Sequence, residues 1–120
     1  MRTSTITIGA REYMAVFNNR VLTRLEEKGI KLKELQQSDK PVSNVLELVR
    51  YMIESGARYA KMMGEGEWPT ITQADLEELT GPEDYNRFVN LISELAQGTR
   101  HVDAAPEGNA EADQEEAQKN

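Results

Sequence analysis

A chain of 120 residues has room for one domain with a modest hydrophobic core. Its net charge of −7 argues against nucleic acid as the main partner, and its lack of cysteine excludes disulfides and thiolate chemistry. No apolar run approaches the roughly 20 residues of a membrane span, and the N-terminus lacks the apolar segment of a signal peptide. These features predict a soluble protein of the cytoplasm.

The charge is unevenly distributed along the chain. Residues 65–98 contain eight acidic residues and one basic residue, a balance of −7, and residues 99–120 add six acidic and two basic residues, a further −4. Residues 11–40 contain seven basic and five acidic residues, a balance of +2. We interpret this weakly basic stretch as a solvated helix face rather than a binding patch.

The first element is a predicted β-hairpin. Ile6 and Ile8 alternate with threonines before Gly9, and residues 13–17 continue the alternation with aromatic and aliphatic side chains. Gly9 supplies the positive φ that a tight turn requires. Because an isolated two-stranded hairpin is marginal in water, we expect its apolar face to pack against helices.

Helices follow the hairpin. Asn18 or Asn19 can cap a first helix that ends at Gly29. Residues 30–42 then form a polar connector with a short helical turn. The longest helix is predicted over residues 44–63, because Asn44 followed by Glu47 resembles a capping box. Gly56 interrupts its apolar stripe, at a cost of up to about 1 kcal/mol unless another backbone packs closely there.

Two further helices complete the predicted fold. Thr72 can cap a short acidic helix that ends at Leu79, and Pro82 suits the first position of a last helix, for which Gly98 is the predicted stop. Residues 99–120 are too polar to form a core, so we predict a disordered acidic tail. The expected fold is α+β and predominantly α, with a hairpin packed on a small bundle of about four helices over residues 1–98.

No constellation typical of catalysis is present. His101, the only histidine, falls in the predicted tail, where it offers neither converging metal ligands nor the held geometry of a general base. Four carboxylates crowd a helix junction, but their spacing differs from an EF-hand, so we interpret them as helix-start charges: Glu77, Glu78, Glu83 and Asp84. We therefore predict no catalytic residues, no metal and no cofactor.

Four residues are candidates for partner binding. Tyr51, Arg58 and Met62 are spaced to share one side of the long helix, and a monomer of this size would struggle to cover all of its apolar side chains. This predicts contact with a partner or with another copy of the chain. Trp68 is either a plug over the core or an interface anchor, a residue type enriched among binding hot spots.

Taken in order, these elements resemble the tail assembly chaperones encoded upstream of the tape measure protein in siphophages and prophages. The family pattern opens with a hairpin of the type I-x-I-G-G-x-E-Y-x-x-x-F, and Ala10 replaces its second glycine here. The matching segments are Ile6-Thr-Ile-Gly-Ala-Arg-Glu-Tyr13, Phe17, Leu22-Thr-Arg-Leu-Glu-Glu-Lys-Gly29, residues 44–63, Pro69-Thr-Ile-Thr-Gln-Ala-Asp-Leu-Glu-Glu-Leu79 and residues 82–97.

The resemblance implies a non-enzymatic protein that binds the tape measure protein, keeps it soluble and helps recruit tail tube subunits. In many such phages a ribosomal frameshift appends a second domain that recruits the tube protein. The codons CAA-AAA-AAC would encode Gln118-Lys119-Asn120 and contain the slippery heptamer A-AAA-AAC, whereas other synonymous codons remove it. The resemblance also implies residence in the host cytoplasm rather than in the mature virion.

Two other functions compete with this interpretation. One is a small acidic regulatory or adaptor protein, which would bind a basic partner in a salt-sensitive way. The other is a minor structural component of the tail or of the head–tail junction, which would remain in purified particles.

Overall fold

The computed structural model describes the backbone of residues 1–104 and the side chains of residues 1–97. Two strands are followed by four α-helices, with one short 3-10 helix between the first two. The fold is α+β and predominantly helical, as the sequence predicts. The elements are β1 (Thr3–Ile8), β2 (Arg11–Val16), α1 (Asn19–Lys28), the 3-10 helix (Leu32–Gln37), α2 (Pro41–Met62), α3 (Gln73–Leu79) and α4 (Pro82–Ala104).

The two strands form the predicted antiparallel hairpin. Ile6 pairs with Tyr13 and Ile8 pairs with Arg11, and Gly9 in the turn has a φ of 64°. Ile6 and Ile8 point into the core, whereas the alternating threonines of β1 are exposed. In β2 every residue from Tyr13 to Val16 is buried. The second strand is therefore covered on both faces, which confirms that the hairpin packs against helices.

Helix α2 is the central element of the fold. It contacts β2, α1, the 3-10 helix, α3 and α4. Val45, Leu48, Val49, Met52 and Ile53 line its buried side without measurable exposure. The core is one contiguous cluster built around this helix.

Gly56 is the point where α2 meets the backbone of the hairpin. A Cβ atom at this position would lie 2.6 Å from the carbonyl carbon of Met14 and 3.0 Å from the Cα atom of Ala15. Since both neighbours are backbone atoms, neither can turn aside as a flexible side chain would. The glycine therefore allows the close approach of a second backbone, the condition under which its cost in helix propensity is offset.

Three of the predicted helix caps are present. The side chain of Asn18 accepts a hydrogen bond from the backbone N–H of Val21 at 3.2 Å, and Gly29 ends α1 with a φ of 72°. The hydroxyl of Thr72 accepts one from the backbone N–H of Asp75 at 3.1 Å. Each cap depends on residues at most four positions apart, which is why the sequence is sufficient to predict it.

The predicted start of α2 is wrong. The helix begins at Pro41, and Asn44 lies within it and donates a side-chain hydrogen bond to the hydroxyl of Ser38 at 2.9 Å. The carboxylate of Glu47 accepts a hydrogen bond from Tyr51 instead of closing a capping box. Proline suits the first helical position because its φ is already helical and the N–H that it lacks would have no partner there.

The last helix also differs from its predicted bounds. α4 continues through Gly98 to Ala104, two residues before Pro106. One glycine inside a helix costs only about 1 kcal/mol, so Gly98 does not end α4. The remainder of the predicted tail, residues 105–120, lies outside the described residues. Across the described part of the chain, no helix combines the length and the apolarity of a membrane span.

Candidate interaction surfaces

The four predicted partner-binding residues differ widely in exposure. Arg58 is exposed, 76% of the Met62 side chain is accessible and Trp68 is half-buried, but only 2% of Tyr51 is accessible. The expectation that Tyr51 belongs to an exposed side of α2 is therefore wrong. Tyr51 and Arg58 do lie on the same side of α2, as their spacing predicts. Helix α1 crosses α2 at Tyr51, however, and covers its side chain.

Tyr51 is enclosed by charged side chains. The guanidinium carbon of Arg24 in α1 lies 3.9 Å from the centroid of the Tyr51 ring, and that of Arg50 lies 5.2 Å from it. The Tyr51 hydroxyl donates a hydrogen bond to the carboxylate of Glu47 at 3.0 Å. Cations over an aromatic face are attracted by the ring quadrupole, so both arginines help to fix the ring.

The same arginines connect three helices. Glu54 of α2 forms ion pairs with Arg24 at 2.6 Å and with Arg50 at 2.9 Å. The Nε atom of Arg50 also donates to the side-chain oxygen of Gln73 at the start of α3, at 2.9 Å. Lys28 of α1 pairs with Glu47 at 3.1 Å. We call Arg24, Lys28, Glu47, Arg50, Tyr51, Glu54 and Gln73 the ionic cluster. Its charged atoms are satisfied within the chain, which is typical of a structural element rather than a binding site.

Two groups in the ionic cluster have shifted pKa values. Burial raises the pKa of the Tyr51 hydroxyl above its usual 10.0, and the hydrogen bond to Glu47 raises it further. Partial burial alone would raise the pKa of Glu54, but hydrogen bonds from Arg24 and Arg50 outweigh this effect and hold the pKa below its usual 4.5.

The C-terminal end of α2 presents an exposed apolar surface. The accessible fractions of Met62 and Met63 are 76% and 58%, and Arg58 lies one turn before Met62 on the same face. We call Arg58, Met62 and Met63 the methionine patch. The helix ends here, and the chain continues into a loop in which Gly64 and Gly66 have positive φ values.

Trp68 lies in the loop that follows the methionine patch. It is half-buried, and it is neither a member of the buried core cluster nor among the partly buried apolar residues that pack against that cluster. The plug and anchor interpretations of this residue both remain predictions.

A second apolar surface lies near the other end of α2. A groove of about 650 Å³ runs between the first turns of α2 and the junction of α3 with α4. Phe88 and Leu46 are buried at its base, and 56% of the Val42 side chain is accessible on its α2 wall. The full lining is Val42, Ser43, Leu46, Glu77, Thr80, Gly81, Pro82, Tyr85 and Phe88. We call it the acidic-rimmed groove because carboxylates stand beside its opening.

Those carboxylates have different roles. Asp84 accepts hydrogen bonds from the backbone N–H of Gly81 at 2.9 Å and from Arg87 at 2.8 Å, so both of its oxygens have partners. These bonds lower the pKa of Asp84, the backbone bond most strongly. Glu77 lines the groove, and Glu83 lies against Gly81. Within residues 1–97, neither glutamate forms an ion pair with a lysine or arginine.

The predicted helix-start role of these acids is confirmed in part. Glu83 and Asp84 occupy the first turn of α4, where negative charge is favourable, whereas Glu77 and Glu78 lie in the second half of α3. Among the residues whose side chains are described, no group of three or more acidic or histidine side chains could hold a metal ion. His101 lies beyond those residues.

A further groove of about 610 Å³ separates the 3-10 helix from α4. Its apolar lining includes Leu32, Leu35 and Ile92, and Lys31 and Lys33 stand at its edge. These two grooves therefore carry opposite charge at their rims.

Comparisons of the chain with models of protein families, with curated proteins and with solved structures found no match.

No local pattern in the sequence predicts the acidic-rimmed groove. Its walls come from segments 40 residues apart, so a local pattern cannot bring Val42 and Pro82 together. The signal that was available is the acidic run beside Pro82-Glu-Asp-Tyr85, which we assigned to helix starts alone.

Proposed function

We propose that this protein is a phage tail assembly chaperone, which binds the tape measure protein, keeps it soluble and helps to recruit tail tube subunits. The observation that carries the proposal is the methionine patch, an exposed apolar surface at the C-terminal end of the central helix α2. A chaperone for a long helical client needs such a surface, and methionine side chains adapt to varied apolar partners. The order of the elements, from hairpin to last helix, is consistent with the resemblance.

The proposed client surface consists of the methionine patch and Trp68. Tyr51 is excluded from it because α1 covers the ring. Met62 and Met63 would contact apolar stripes of the client, and the net charge of −7 would keep the complex soluble. Recruitment of tube subunits would use a longer isoform produced by frameshifting. Sequencing the codons for residues 118–120 tests this step, because any codon that interrupts the heptamer A-AAA-AAC rules out that site.

The alternative function is an acidic adaptor for a basic partner, and the acidic-rimmed groove is the observation that favours it. The two functions differ in their response to salt. Contacts between apolar side chains persist at about 1 M salt, whereas attraction between exposed charges is largely screened there. A structural tail protein differs from both because it would be found in purified particles.

Co-expression with the tape measure protein tests the proposed function. The wild-type chain should keep the client soluble and bind it at about 1 M salt. The Met62→Ser/Met63→Ser variant should lose most of this capture, because two exposed apolar contacts are removed without disturbing the core. Leu79→Ser is a matched control, because Leu79 is 53% exposed but lies in α3, and it should capture normally.

Two results would contradict the proposal. The first is failure of the wild-type chain to keep the tape measure protein soluble. The second is equal capture by the double methionine variant and by Leu79→Ser, which would show that the methionine patch is not the client surface.

A further inference from the structure

The acidic-rimmed groove has the shape and the lining of a site for apolar side chains. Its volume of about 650 Å³ lies within the usual range for ligand sites in proteins. Phe88 and Leu46 form an apolar base, and Val42, Pro82 and Tyr85 form apolar walls. The groove is bounded by helices on both sides, an arrangement that accommodates the apolar face of another helix.

The charge around the groove is negative and is not neutralised by the described side chains. Arg87 is paired with Asp84, and on the α2 side Asp39 and Lys40 are adjacent and cancel in net charge. Glu77 and Glu83 remain without a cation partner in residues 1–97. An occupant with positive charges beside its apolar face would therefore be favoured.

Two occupants from the chain itself fit this charge poorly. Residues 105–120 contain five acidic residues and one lysine, so the glutamates at the rim would repel this segment. In a second copy, the methionine patch carries Arg58 and adjoins Lys61, but Glu65 and Glu67 follow directly, so this segment offers no net positive charge to the acidic rim. Charge complementarity therefore favours a different protein as the occupant.

We infer that the acidic-rimmed groove binds an amphipathic helix of a partner protein, with apolar side chains in the groove and flanking lysines or arginines beside Glu77 and Glu83. Like-charge contacts would disfavour an acidic helix with the same apolar face. This inference does not depend on a role in tail assembly, because it uses only the lining of the groove and the charge at its rim.

Two synthetic helical peptides of about 18 residues test the inference with the full-length chain. Both carry the same leucine stripe, and one is flanked by lysines and the other by glutamates. Fluorescence anisotropy of labelled peptides should show that the lysine peptide binds at least about fivefold more tightly, with an affinity that falls as salt increases. Equal affinities, or no binding of the lysine peptide, would overturn the inference.

The Glu77→Lys variant tests whether the preference for the lysine peptide arises in the acidic-rimmed groove. This variant should weaken binding of the lysine peptide and strengthen binding of the glutamate peptide. Glu65→Lys is a matched control because it makes the same change in net charge at an exposed loop position outside the groove. If both variants weaken lysine-peptide binding equally, the attraction is a property of the whole acidic molecule and the groove is not the site.

Val42→Ser tests the apolar part of the site. Val42 is exposed on the groove wall, so the variant should fold normally and bind the lysine peptide several-fold more weakly, whereas Met62→Ser should bind it normally. The reverse pattern would assign the peptide to the methionine patch and overturn the inference. Self-association of the wild-type chain that Val42→Ser abolishes would also overturn it, because the occupant would then be a second copy.

Discussion

At residue 56, helix propensity and packing have opposite effects on stability. Alanine is the better residue in an isolated helix by about 1 kcal/mol. In the folded protein, a Cβ atom at Gly56 would overlap the carbonyl group of Met14. The backbone of β2 is held by its own pairing with β1, so it cannot move away freely.

We therefore expect Gly56→Ala to destabilise the protein by about 1–3 kcal/mol, the usual range for overpacking a core. Urea denaturation at neutral pH measures this change. The neighbouring variant Ala57→Gly makes the reverse exchange and should cost only about 1 kcal/mol, the difference in helix propensity. A stabilised Gly56→Ala variant would show that the strand and the helix are not in close contact.

The environment of Tyr51 predicts how stability responds to alkaline pH. The pKa of its hydroxyl is raised in the folded state by burial and by Glu47. Below the unfolded pKa of about 10 both states are protonated and the stabilisation is complete. As pH rises through the folded pKa, the unfolded state loses its proton first and the stability falls.

We expect Tyr51→Phe to be somewhat less stable at neutral pH and to lose part of this alkaline decline. Removing one hydrogen bond costs about 0.5–1.5 kcal/mol. Denaturation curves between about pH 8 and 11 measure both effects. Tyr59→Phe removes a phenol from the same helix without touching Glu47, so the alkaline decline attributed to Tyr51 should persist in it. An unchanged pH profile for Tyr51→Phe would contradict this account.

Among the elements, local signals were sufficient for some boundaries and insufficient for others. The caps at Asn18, Gly29 and Thr72 were predicted because cap and partner are close in sequence. The start of α2 was predicted wrongly because asparagine and proline are both common at helix starts. Contacts with the rest of the fold decide between Asn44 and Pro41. The burial of Tyr51 could not be predicted, since it depends on where α1 crosses α2. Only part of the ionic cluster is visible in the sequence, as the oppositely charged pair of Arg50 and Glu54 four residues apart on one helix.

The Glu54 ion pairs hold α1 against α2 and should contribute to acid sensitivity. The pKa of Glu54 is lower in the folded state than its usual 4.5, so the stabilisation is present above about pH 4.5. It is lost as pH falls through the folded pKa, because the unfolded state takes up its proton first. Glu54→Gln should therefore be less stable at neutral pH and lose less stability between about pH 6 and 3.

Glu78→Gln is the control for this experiment. Glu78 is exposed and forms no ion pair with the side chains of residues 1–97. Thermal denaturation across the same pH range should show the wild-type profile for this variant. Identical profiles for the two variants would mean that the ion pairs of Glu54 add nothing to the packing of α1 on α2.

For the molecule as a whole, the contact between β2 and α2 should be the most stable region. β2 is buried on both faces, and the middle of α2 is surrounded by other elements. Residues 64–70 form an exposed or half-buried loop without regular structure. Local opening requires less free energy where fewer apolar contacts are broken.

Hydrogen exchange followed by NMR should therefore be slowest for the amides of β2 and of residues 48–56, and fastest for residues 64–70 among the described segments. Gly56→Ala should accelerate exchange in β2 and the adjoining turns of α2 together, because it disrupts their shared contact. Slower exchange in α4 than in β2 would contradict this order of stability.

The length of α2 also sets the distance between the acidic-rimmed groove and the methionine patch. Val42, on the wall of the acidic-rimmed groove, and Met62, in the methionine patch, are 20 residues apart on one continuous helix. At 1.5 Å per residue, their Cα atoms are separated by about 30 Å along the helix axis. Because the other elements hold α2 on several sides, the distance between these two residues is fixed. Over these 20 residues the helix also makes about five and a half turns, so Val42 and Met62 point to nearly opposite sides of α2. A partner with two apolar segments that span this distance and reach around the helix would gain avidity from binding both ends at once, because the second contact becomes intramolecular. A partner with a different spacing could use only one end at a time.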